Sequence, residues 1–205
     1  MATIAQDNDP RTELIRKLGS STFNYWFGYV ANVSLVIWLV SHALPHGHLA
    51  LSPLAFVGYA VTGFLSWTLV EFLLHRYVYH LWTSFLTEGH DLHHKSPRAL
   101  IGVPWYLTTI ALIAVFELAA LPLRASSTGV VMGFCWLGYI LYCVAHHGSH
   151  HWSFKNPWLK KMKRHHLLHH AHPEYNWGFT TPLWDHLFGT HYDRARARKT
   201  DAATG

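Results

Sequence analysis

Five histidines fall between Glu71 and His94, in EFLLHRYVYHLWTSFLTEGHDLHH, and two further groups follow, HHGSHH at 146–151 and HHLLHHAH at 165–172. Histidine makes up 19 of the 205 residues, more than a packed core or a solvated surface requires. His90, His93 and His94 have the spacing HxxHH. Positions i, i+3 and i+4 share one face of a helix, so three imidazoles can converge on a small volume. His166, His169 and His170 repeat the pattern. HHGSHH reads either as HxxHH (His147, His150, His151) or as HxxxH (His146, His150). His75 and His80 are five apart, about 140° around an ideal helix. Joining one site would take a helix end or a local bulge; otherwise they serve two different metals.

One HxxHH arises by chance on a surface helix; four histidine groups at the ends of apolar segments do not. The chemistry they suit is polynuclear metal binding. Zinc sites usually close with four ligands and often include cysteine, but Cys135 and Cys143 both lie inside an apolar run. Eight to ten imidazoles with few carboxylates suit two mid-row metals with open positions, of which iron activates dioxygen. Zinc could replace iron in such a site as purified. Glu71, Glu88, Asp91 and Asp185 lie near the groups and are expected to orient ring N–H groups from behind the ligands.

The elements that must hold these histidines are apolar. No Asp, Glu, Lys or Arg occurs from Leu18 to Val70, nor from Ala125 to Phe154. Runs of that length mark membrane-spanning helices, and four are expected, over about 25–44, 54–74, 103–123 and 130–144. Residues 1–22 read as a polar tail with a short helix over 12–18, residues 23–192 as the membrane domain, and residues 193–205 as a basic tail. No cleavable signal peptide is evident. His42, His46 and His48 fall in a turn at the far end of the first span, as loop residues rather than ligands. Glu117, inside the third span, is expected to pair with Arg124. On the four-span topology 15 Lys and Arg lie with the termini and only Arg124 lies opposite. The positive-inside rule then places both termini and 16 of the 19 histidines in the cytoplasm. Basic residues flank spans rather than lining a groove, which argues against nucleic acid.

As a set, EFLLHRYVYH, GHDLHHK, LGYILYCVAHHGSHH, KRHHLLHHAHPEYNWGF and TPLWDHLFGT resemble the fatty acid hydroxylase superfamily, whose members include fatty acid 2-hydroxylases, sterol C4-methyl oxidases and sterol desaturases. The resemblance covers about Ser66 to Tyr192 and is nearest to the fatty acid 2-hydroxylases. It implies an all-α integral-membrane fold of four transmembrane helices with a cytosolic histidine-rich cap around a dinuclear metal site. The metal ligands it implies are His75, His80, His90, His93, His94, His146, His150, His166, His169 and His170. It favours His146 and His150 in the third group, leaving His147, His151, His165 and His172 unassigned.

The activity implied is O2-dependent hydroxylation of a lipid acyl chain by two iron ions. The chain has no flavin, haem or iron–sulfur motif, so electrons are expected from a cytochrome b5-like or ferredoxin-like partner. Lipid or sterol desaturation, C4-methyl oxidation and carotenoid hydroxylation use the same ligands. Metal transport is the rival from another class, and it would place ionisable ligands at the bilayer midplane. The clusters lie instead at the ends of the spans.

Overall fold

The computed structural model describes Glu13 and residues 17–19, 21–43, 51–121 and 125–193. Most of the N-terminal tail, the middle of the first turn with His46 and His48, Arg124 and residues 194–205 lie outside them. Every regular element among the described residues is helical. In chain order these are α1 (Thr22–Ala43), α2 (Pro53–Leu73) with a π-helical continuation (Leu74–Leu81), α3 (Phe85–Lys95), α4 (Trp105–Ala120), α5 (Ala125–His151), α6 (Pro157–Ala171) and α7 (Leu183–Leu187).

Local sequence sets the helix starts. Ser52 caps α2 by accepting from the Ala55 amide, with Pro53 at the first helical position. Asn156 does the same for α6, accepting from Trp158 and Leu159 ahead of Pro157. In both, the proline has no amide to leave unsatisfied and its fixed φ suits the first turn.

Among the described residues, three helices are long and apolar enough to cross a membrane: Thr22–Ser41, Pro53–Leu81 and Ser126–His151. The span expected over 103–123 is instead a 16-residue apolar helix, about 24 Å long at 1.5 Å per residue, short of a hydrocarbon core of roughly 30 Å. The other two spans that carry histidine exceed that thickness. Pro53–Leu81 is 29 residues and Ser126–His151 is 26, each roughly 40 Å, so their last turns project beyond the apolar layer.

The outward faces are those of lipid-exposed helices. Phe23, Trp26, Val30, Val33 and Ile37 form one exposed stripe on α1, and Leu54, Val57, Val61 and Leu65 another on α2. Facing inward, Leu35 and Leu39 of α1 pack with Leu112 and Phe116 of α4, while Ala60 of α2 meets Val130 of α5. The buried Asn32 is satisfied within this apolar setting: Trp136 Nε1–H donates to its Oδ1 at 2.7 Å, and its own amide donates to Gly28 O at 2.6 Å. Glu117 is exposed on the α4 surface.

The helix directions follow from contacts at the ends. Asn24 near the start of α1 accepts from the amide of Trp105 at the start of α4, and Tyr25 hydrogen bonds His147 at the end of α5. Thus α1 and α4 begin at the end where α2 and α5 finish, and all the histidine groups gather at that one end.

Close approach of α2 to α5 depends on Gly63, where a Cβ would overlap the Val131 carbonyl; at Gly58 on the same helix it would meet nothing. Small residues at such crossings let backbones come together. Gly63→Ala is expected to destabilise the detergent-solubilised protein by about 1–3 kcal/mol, the usual range for overpacking, read as a lowered thermal unfolding midpoint. Gly58→Ala should leave the midpoint unchanged.

Candidate metal centre

The five-residue spacing of His75 and His80 is resolved by the backbone. Where α2 leaves the apolar layer it loosens into the π-helical turn Leu74–Leu81, closed by Trp82 N donating to Tyr77 O at 2.9 Å. An i→i+5 ladder stacks residues five apart, and the two imidazole rings lie 5.3 Å apart. Of the alternatives the spacing left open, the local bulge is the one present.

All ten histidines predicted as ligands come together, in two groups of five. His75, His80, His90, His94 and His169 form the first, and His93, His146, His150, His166 and His170 the second; within each group the ligand nitrogens lie within 4.8 Å of one another. Neither HxxHH motif converges on a single point, as the shared-face reading had it. Its i and i+4 members turn to one group and its i+3 member to the other, because i+3 and i+4 are about 100° apart around the helix. Each group thus takes two histidines from a span end, an i,i+4 pair from one short helix and a single histidine from the other. The groups abut at His94 and His170, whose rings stack at 4.3 Å.

The nitrogens are arranged for a cation. His75 Nδ1 meets Trp177 O at 2.6 Å and His169 Nδ1 meets Tyr175 O at 2.7 Å. A carbonyl only accepts, so Nδ1 carries the proton in both rings and Nε2 presents a lone pair. His75 Nε2 faces His90 Nε2 at 3.1 Å, and His94 Nε2 faces the same atom at 3.0 Å. In the second group His166 Nε2 faces His150 at 2.8 Å and His170 at 3.1 Å. The buried Nε2 atoms of His80, His93, His146 and His169 have no hydrogen-bond partner among the described residues. Converging lone pairs and orphaned buried nitrogens are unfavourable without a positive ion between them. The residues present fit one metal ion per group.

Burial keeps the imidazoles of α3 and α6 in the neutral form that ligation needs. Desolvation lowers His94 to about 4 and is its one resolved cause. It lowers His170 to about 3, with neighbouring imidazoles adding to the effect. His90, His93, His166 and His169 lie well below the ordinary value for the same reasons, desolvation first.

Glu71 and Asp185 do not orient ligand N–H groups directly; they organise the chain behind them. The buried Glu71 carboxylate accepts from the amides of Phe179 and Thr180 and from the Thr180 hydroxyl. Asp185, fully buried, accepts from the amides of Trp177 and Gly178 and from Thr190 Oγ1. Between the two ligand-facing carbonyls stands Asn176 at φ 59°, a left-handed conformation that asparagine tolerates better than most residues. Its side chain bridges His165 O and the Tyr192 amide. Sequence reasoning passed over Asn176; the only signal was an asparagine amid the aromatics of EYNWGF. Asp91 is exposed on α3.

The unassigned histidines stay outside both groups. His147 and His151 stack on each other at 4.2 Å, His165 contacts Asp185 at 3.3 Å, and His172 stacks on Tyr192. Beside the groups lies a cavity of about 170 Å³ between α1, α3, α4 and α5. His90 of the first group and His93 and His146 of the second border it, and its walls are mostly aromatic and aliphatic, among them Tyr29, Leu86, Val103 and Ile140, with Asn24, Asn32 and Thr108 as polar members.

The depressed imidazoles predict an acid limit to stability. An unfolded histidine takes up its proton near pH 6.5, whereas the folded groups resist until about 4 or below. Protonation then favours the unfolded chain as pH falls from 6.5 toward 4. The thermal midpoint of the metal-stripped protein should drop steadily between pH 7 and pH 5. A flat profile over that range would contradict neutral burial.

The fatty acid hydroxylase family model matches residues 60–190. A dihydroceramide fatty acyl 2-hydroxylase of Arabidopsis thaliana is 33% identical over 62% of this chain and 58% of its own length. A second such enzyme from the same plant is 30% identical over 81% of this chain and 73% of its own. The fatty acid 2-hydroxylase of Rattus norvegicus is 32% identical over 66% of this chain, which spans only 40% of that protein. The solved structure of full-length scs7p, in which only the hydroxylase domain is visible, superposes with a TM-score of 0.71 over 93% of this chain and 81% of that one, at 24% identity, and shows the same fold. With the family match covering more than half of its length and carrying every histidine of both groups, the chain belongs to the fatty acid hydroxylase family.

Proposed function

We propose that this protein is a multi-pass membrane oxygenase that hydroxylates a lipid acyl chain, at the 2-position by analogy with its relatives, using dioxygen and electrons from a separate donor protein. The observation that carries the reading is the cavity, which is apolar enough for an acyl chain and bordered by histidines of both groups.

The ten grouped histidines are the proposed ligands of two iron ions, with zinc able to take their place on purification. Bound there, reduced iron supplies the activation of dioxygen. The protein's part is positional. The two groups hold their lone pairs inward, and the aromatic walls exclude water and fix which carbon lies beside His90, His93 and His146. Access from the bilayer is expected along the apolar helices, and the electron donor, cytochrome b5-like or ferredoxin-like, would dock at the histidine end.

For topology we favour four crossings, with α4 as a short fourth span and the histidine end in the cytoplasm. The charge bias supports this, since 15 of 16 Lys and Arg fall on the side of the termini. The same ligands would serve a desaturase. Metal transport accords poorly with ligands gathered beyond the apolar layer rather than at its centre.

The experiment compares the lipid profile of cells expressing the native chain with that of cells expressing His94→Ala or His172→Ala. His94→Ala should abolish the product, and His172→Ala should retain it. A lipid pool gaining one oxygen supports hydroxylation, and fragmentation locates the carbon. Loss of two hydrogens would make the enzyme a desaturase. No lipid change with the native chain expressed and metal-loaded would overturn the oxygenase reading.

A further inference from the structure

Segment 175–180 touches the two groups unequally. Its two carbonyls, Tyr175 O and Trp177 O, fix His169 and His75, both of the first group. No histidine of the second group makes a bond of that kind among the described residues. What the second group receives from the segment is the Phe179 ring, packed against His146 and His166 at 5.8 and 5.2 Å. An apolar ring contact tolerates a small shift; a hydrogen bond weakens steeply as its angle opens.

The segment is held by two buried carboxylates, Glu71 on Phe179 and Thr180 and Asp185 on Trp177 and Gly178. Resting on the reading that each group holds a metal, we propose that Glu71 and Asp185 are positioning residues for the first site alone. By clamping segment 175–180 they set the tautomer and ring direction of His75 and His169. The first site is therefore preorganised and fills first, and the second fills later. Partners behind metal-bound histidines are typically worth 10–100-fold in affinity, enough to separate the two steps.

The test is a cobalt(II) titration of the full-length chain in detergent micelles after chelator stripping, followed by visible absorption and by elemental analysis of bound cobalt. The native chain should take two ions in two resolved steps. Glu71→Ala should weaken the tighter step at least about 10-fold and leave the other in place. Glu71→Gln keeps an acceptor oxygen and should stay near native. Gly178→Ala offers an independent route, since its Cβ would run into the Thr181 carbonyl and the Asp185 carboxylate, displacing the segment with both carboxylates intact. It should lose the same step. His150→Ala should instead weaken the second step.

Native-like binding by both Glu71→Ala and Gly178→Ala would overturn the proposal. So would equal weakening of both steps, or loss of helical circular dichroism in both variants, which would assign the clamp to folding. A native chain that binds no cobalt would overturn the dinuclear reading itself, and this inference with it.

Discussion

The structure depends on a single electrostatic constraint: ten imidazoles are gathered with ring nitrogens turned toward one another. Each is neutral, so no Coulombic repulsion forbids the arrangement, but buried acceptors facing acceptors lose the hydrogen bonds they had in solvent. A cation between those nitrogens would restore them. The rest of the molecule answers to this. Apolar helices deliver histidines at their ends, short helices bring the complementary pairs, and the C-terminal segment closes over the assembly with Trp177 against the first group and Phe179 against the second.

The bundle and the centre use different physics. Between the helices, association rests on close backbone approach and apolar packing, with Asn32 and Trp136 as an internally satisfied polar pair. At the histidine end, direction matters more than contact. Capping side chains start α3 and α6 in register, a π turn stacks His75 over His80, and backbone carbonyls decide which ring nitrogen is free. The transition between the two regimes falls within the continuous helices themselves.

Much of this was legible in the residues. Charge-free runs marked the long helices, and histidine spacing marked the groups, while the choice of His146 over His147 came only from the family resemblance. The five-residue gap between His75 and His80 announced a backbone irregularity. What could not be read was how the ten divide, because periodicity says which residues share a face but not where a second helix will present its own. The third apolar run forms a helix shorter than expected, Trp105–Ala120, and nothing in its composition marked the early end. Nor could spacing reveal that Glu71 works on a segment more than a hundred residues away.

The crossed assignment of the two HxxHH motifs has an evolutionary consequence. Each short helix serves both groups, so no contiguous stretch of chain encodes one group alone. A deletion or exchange of α3 or α6 removes histidines from both, whereas the π turn serves only the first group and the end of α5 only the second. The two groups are therefore tied to each other through the short helices, and neither α3 nor α6 can change its histidines without altering both.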